Sequence, residues 1–252
     1  MLAYFIVCPL VFLGGFMDSI AGGGGLISLP AYILAGFPAH IAVGTNKLSS
    51  IMGTTISTGR FLRNGYLKKE HVFTLAVPAV MASLLGSSLG SRLSLMMDEK
   101  ILKNLLAVVL PVVALYVLRK KNTEETEEKL PEYRKLLAIV LAAAFVIGCY
   151  DGFYGPGTGT FLIIIFTSIA HMSVQESSVM TKLINWTSNA AALSTFLMNG
   201  TVMPRLGLCA GLFGILGNYL GSGLVVQNGQ KIVRPVIVVV LVLLFIKVVS
   251  GL

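Results

Sequence analysis

Charge is what this sequence has least of: 12% of its 252 residues are Asp, Glu, Lys or Arg, against roughly 25% in soluble domains. A water-soluble fold of this size covers itself with charge, so that class is excluded. Acid is the rarer sign, with 11 Asp and Glu against 19 Lys and Arg. The resulting net charge of +8 is no nucleic-acid footprint, because the positive residues fall in short loops between apolar runs, where they orient a membrane protein. Cysteine is nearly missing too. Cys8, Cys149 and Cys209 each lie in an apolar segment with no CxxC spacing, so they are read as small buried hydrophobes, with no metal or redox role. The chain has no HExxH, no phosphate-loop pattern and no Ser/His pairing at depth, which argues against an enzyme and a nucleotide site. No basic n-region or small-residue cleavage site opens it, so residues 2–17 are read as a retained helix.

Apolar sequence is what is present. Hydrophobic residues make up 55% and the mean hydropathy is +0.84. Residues 232–251 form the plainest run, long enough at about 1.5 Å per residue to cross a hydrocarbon core of about 30 Å. Five apolar segments (about 2–18, 24–37, 41–61, 71–94 and 102–118) precede a polar linker of both signs, 119–135. Five more follow, at about 136–150, 157–170, 176–199, 205–226 and 233–251. The expected organisation is a first transmembrane repeat over 1–118, a charged cytoplasmic linker over 119–135 and a second repeat over 136–252. The second segment of each set is too short to cross comfortably, so ten spans, or eight spans with two re-entrant hairpins, both fit.

Glycine punctuates both sets at the same place. Gly14-Gly-Phe-Met-Asp18-Ser-Ile-Ala-Gly22-Gly23-Gly24-Gly25 is matched by Gly148-Cys-Tyr-Asp151-Gly-Phe-Tyr-Gly155-Pro-Gly157-Thr158-Gly159. The match continues in order: Ala39-His40 with Ala170-His171, Lys47-Leu48 with Lys182-Leu183, Asn64-Gly65 with Asn199-Gly200, Gly86 and Gly90 with Gly217 and Gly221. The loop with Arg60, Arg63, Lys68 and Lys69 has only Arg205 in its counterpart. The positive-inside rule then places the first loop in the cytoplasm and the second outside. The fold expected is therefore an all-α polytopic membrane protein of two inverted repeats, each with a Gly-broken or re-entrant helix.

Few charges fall at membrane depth, where they are functional candidates by default. They are Asp18 and Asp151 at the glycine breaks, Lys47 and Lys182 near the third segments, and Glu176. A helix restarting after Gly22, Gly23, Gly24 and Gly25, or after Gly155, Gly157, Thr158 and Gly159, presents unpaired amides and a positive dipole end. Broken helices of this kind hold anions in transporters. Asn46, Asn185, Thr45, Thr160 and Asn189 could add donors. Two roles fit the acids: capping or lysine pairing, and proton uptake for coupling. Gly86-xxx-Gly90, Gly207-xxx-Gly211 and Gly217-xxx-Gly221 read as close helix packing. His40 and His171 read as turn or interface residues.

The stretch Phe16-Met-Asp18-Ser-Ile-Ala-Gly-Gly-Gly-Gly25-Leu-Ile-Ser-Leu-Pro30, then Gly44-Thr-Asn46-Lys47-Leu, then Gly152-Phe-Tyr-Gly155-Pro-Gly-Thr-Gly159, resembles the TauE/SafE sulfite exporter family over nearly the whole chain. The resemblance implies a two-repeat transporter of the cytoplasmic (inner) membrane, handling sulfite, organosulfonates or other small sulfur-containing anions. Met180-Thr181 stands where the first copy has Thr45-Asn46, so an asymmetric site is expected. The function expected is a secondary transporter working by alternating access, in the exporting direction; a passive anion channel and a membrane scaffold are the alternatives. The partners expected are the anion and the lipid bilayer. A homo-oligomer stays open, and no nucleic acid, cofactor or metal is called for.

Overall fold

Helix α1 (Leu2–Ala21) ends where the first glycine run begins, because Gly22 takes φ +71°. An L side chain rarely adopts that backbone. Its counterpart Gly155 sits at φ +99° and ends the first helix of the second half in the same way. A computed structural model describes residues 2–64, 70–98 and 130–228, without the side chains of 70–72 and 227–228. The segments expected at 102–118 and 233–251 lie outside the described residues, as does most of the linker.

Among the described residues the chain is all helix, in eight helices. After α1 come α2 (Gly25–Leu34), α3 (Ala39–Arg63) and α4 (Glu70–Met96). The second half runs α5 (Tyr133–Phe153), α6 (Thr158–Ser168), α7 (Val174–Met198) and α8 (Pro204–Asn228). Four of them, α1, α4, α5 and α8, are long and apolar enough to cross a membrane. At 10 and 11 residues, α2 and α6 span only about 15 Å and cannot cross. Helices α3 and α7 have 25 residues each but carry most of the buried Ser, Thr, Asn and Lys. They are the polar elements among the apolar ones described.

Packing exchanges elements between the halves. Helix α1 lies on α8, with Gly217 under Phe12 and Gly221 under Phe16; helix α5 lies on α4, with Gly86 under Phe145 and Gly90 under Cys149. Each pair runs parallel, and the missing Cβ lets the backbones approach, which is how small residues drive helix association in lipid. The packing role expected of these glycines holds. So it does for Gly207 and Gly211, which receive Leu48 and Met52 of α3. In the centre α3 and α7 run antiparallel: Trp186 donates to Thr55 at 2.9 Å, while Thr58 donates to the Lys182 carbonyl at 3.5 Å. Helix α7 runs parallel to α4, whose Ser83 and Ser87 donate to the carbonyls of Ile184 and Ser188 at 3.1 and 2.6 Å.

Three expectations change at this level. His40 is the second residue of α3, not a loop residue, and its Nε2 lies 3.1 Å from the Met97 carbonyl; His171 does sit in a turn, at φ +53°. Glu176 is a helix cap. It completes a capping box at the start of α7, its carboxylate accepting from the Ser173 amide and hydroxyl at 2.9 and 2.8 Å. Nor are Cys8 and Cys209 apart: their sulfurs stand 3.8 Å from each other across the α1–α8 contact.

Candidate functional site

The two glycine loops meet. Gly22 is pressed against Gly159, Gly25 against Pro156, and Thr160 of α6 donates to the Ala21 carbonyl at 2.9 Å. Glycine at the contact lets one backbone lie on the other. Two helix ends, α1 and α5, and two helix starts, α2 and α6, thus converge on one place. At the first start, Leu26 and Ile27 turn back to the carbonyls of Gly23 and Gly24. That leaves the amides of residues 23–25 without a backbone acceptor, as the first amides of a helix must be.

Lys47 and Lys182 reach this junction from the ninth positions of α3 and α7. Each pairs with the acid of the opposite half. Lys47 Nζ lies 2.9 Å from Asp151 Oδ2, and Lys182 Nζ lies 2.8 Å from Asp18 Oδ2. Both lysines are 2% exposed, so the pairing is what makes their charge tolerable away from water.

The two pairs are not equivalent. Asp151 is held by three donors, for Ser188 Oγ reaches its Oδ2 at 2.5 Å and Thr158 Oγ1 its Oδ1 at 2.9 Å. Asp18 takes Lys182 on Oδ2, and Lys182 also donates to the Asp18 main-chain carbonyl. The Asp18 side chain is 13% exposed, against 4% for Asp151. Asp18 is the more exposed acid of the two.

A cavity at this junction offers about 40 Å³ to the centre of a water-sized molecule, room for a few waters or one small ion. Of the residues singled out in the sequence, Asp18, Gly22, Gly24, Gly25, Asn46, Lys47, Asp151, Gly155, Thr158 and Asn185 line it. Gly23, Gly157, Gly159 and Lys182 do not: Lys182 stands behind Asp18, and Gly159 is spent on the loop contact. Thr45 is turned away, accepting from the Met203 amide at 3.0 Å. Asn189 lines the cavity and donates to the Asn185 carbonyl at 2.7 Å. Sequence reasoning missed Ser28 and Asn218, which also line it. Asn218 was hidden inside a run that reads as a helix-packing motif, and it serves both purposes.

The lining is chemically mixed. Lys47 and the loop amides are donors, while the Oδ1 atoms of Asn46 and Asn218 are buried acceptors without a donor among the described residues. No cluster of three or more His, Cys, Asp or Glu stands together among the described residues.

Comparison with known proteins follows the same line. Residues 7–248 match the family model "Sulfite exporter TauE/SafE". "Probable membrane transporter protein ORF9" from a Sinorhizobium species is 34% identical over 249 residues, covering 98% of this chain and 92% of that protein. "Probable membrane transporter protein" from Haemophilus influenzae is 33% identical over 230 residues, covering 90% and 87%. "Probable membrane transporter protein YfcA" from Escherichia coli K12 is 33% identical over 245 residues, covering 94% and 88%. No solved structure matches the chain.

Proposed function

Because this chain belongs to the TauE/SafE sulfite exporter family, we propose that its central cavity is the substrate site of a secondary transporter for small sulfur-containing anions, sulfite and organosulfonates among them. It is a multi-pass membrane protein of a transporter family. Transport in the exporting direction across the cytoplasmic membrane, with no catalytic step, is the reading that follows.

The observation that carries it is Lys47 at a cavity bordered by Gly24 and Gly25 at the start of α2. A cation and unpaired amides at a helix start are the donors a sulfur oxyanion needs. Asp151 keeps its Thr158 and Ser188 donors if Lys47 turns to the anion, so the exchange leaves no bare carboxylate. Lys182 has the other task. It holds Asp18, the more exposed acid and the better candidate for proton coupling.

Alternating access by two inverted repeats is supported by the helix registers. Helices α1, α3 and α8 run one way and α4, α5 and α7 the other, so corresponding helices of the two halves oppose each other. The loop tips close on one another at Gly22 and Gly159, which favours a gated site over a passive anion channel.

Binding of sulfite, thiosulfate, sulfoacetate and sulfate to purified protein tests the site, on wild type and on Lys47→Ala and Lys182→Ala. A sulfur anion should bind, and Lys47→Ala should weaken it at least about tenfold, the usual loss of one charged hydrogen bond. Lys182→Ala should cost less affinity and more thermal stability. Affinity indifferent to Lys47 would return that residue to a purely structural ion pair.

A further inference from the structure

The donors of the cavity are accounted for by an anion, but its acceptors are not. Asn46 Oδ1 and Asn218 Oδ1 are both buried, in residues 6% and 3% exposed, and neither receives a hydrogen bond among the described residues. The orientation of Asn218 is fixed by its own amide group, whose Nδ2 donates to the Gly214 carbonyl at 3.0 Å. A buried acceptor left unmade is costly, and native structures keep few of them without a purpose. An anion alone worsens the situation, since its oxygens cannot donate.

We infer that the substrate is bipolar: an anionic sulfonate or sulfite group for Lys47 and the loop amides, and a hydrogen-bond donor, hydroxyl or ammonium, for the asparagine oxygens. The inference rests on the cavity being the substrate site. Asn46 adjoins Lys47 on α3, and Asn218 packs against Gly15 and Gly53, the latter roughly one to two turns further along α3. Anion donors thus lie at one end of the cavity, and an acceptor stands at each of two positions beside and beyond them. A metal cation is the poorer occupant, because the Lys47 ammonium lines the same small space. Hydrogen sulfite, which carries its own proton, meets the requirement; sulfate at neutral pH does not. A site of this kind discriminates strongly, since an analogue lacking the donor leaves the acceptors stranded.

The test compares 2-hydroxyethanesulfonate with 1-propanesulfonate, equal in charge and matched in size, with sulfite as reference. Affinities are measured on wild type, Asn46→Leu, Asn218→Leu and the double variant, each checked for folding by thermal unfolding. Wild type should bind the hydroxylated anion at least about tenfold more tightly. The preference should shrink to about twofold or less when both asparagines are replaced. Equal binding of the two sulfonates to wild type overturns the inference and leaves the anion site standing. A preference that persists in both variants overturns the assignment to these oxygens. If neither sulfonate nor sulfite binds, the transport reading fails, and the inference with it. Should Asn218→Leu not fold, the wild-type comparison and Asn46→Leu alone decide.

Discussion

Asp18 and Asp151 look interchangeable in the sequence, each followed by glycines and each with one lysine downstream in its own half. The structure separates them by partner and by exposure. Lys47 takes Asp151 and Lys182 takes Asp18, so the pairing can be tested by cross-compensation. Lys47→Met removes the counter-charge of the buried Asp151, leaving it only its Thr158 and Ser188 donors, and should cost about 3 kcal/mol. Adding Asp151→Asn should restore about 1–3 kcal/mol of that, whereas adding Asp18→Asn should restore none. Reversible unfolding in mixed micelles measures both, and recovery by Asp18→Asn would mean that the pairs are not crossed. Spacing points the other way, because each acid is nearest in number to the lysine of its own half, Asp18 to Lys47 and Asp151 to Lys182. That the four charges stand apart from the rest was legible, since charges at membrane depth are rare. Asn218 was not, for an amide inside a Gly-xxx-Gly run carries no sign of facing a cavity.

At the level of elements, legibility followed chain length and glycine. Helices α2 and α6 stand where the short segments were expected, and their 10 and 11 residues settle that they do not cross the membrane alone. What the sequence could not supply was which helix lies on which, because apolar faces in lipid carry no partner label. The α1–α8 contact can be checked chemically. Cys8 and Cys209 are 3.8 Å apart, so copper-phenanthroline should oxidise them to an intramolecular disulfide, two thiols giving up two electrons and two protons to the oxidant. Protease cleavage within the charged stretch 119–129 should then leave both fragments joined in non-reducing gels. Fragments that separate would place α1 elsewhere. Cys8→Ser should abolish the link, and Cys149→Ser should leave it unchanged.

At the scale of the whole molecule, the halves are interleaved. Each contributes its first helix to the other's fourth, and Lys47 and Lys182 each have their counter-charge in the other half. A chain cut within 119–129 should therefore work only when both pieces are made together. Residues 1–124 and 125–252 co-expressed should co-purify and bind the anion with near wild-type affinity, while either alone should be degraded. Function from one half alone would rule out the interleaved arrangement.

The crossed pairs also bear on how the protein is made. Asp18 waits for a partner 164 residues further on, so it enters the bilayer long before the ribosome has produced Lys182. In that interval Lys47, which borders the same cavity as Asp18, is on hand to neutralise it. The nascent first half can thus hold a provisional Asp18–Lys47 pair. Arrival of the second half would trade it for two permanent ones, and maturation would end in an exchange of charge partners.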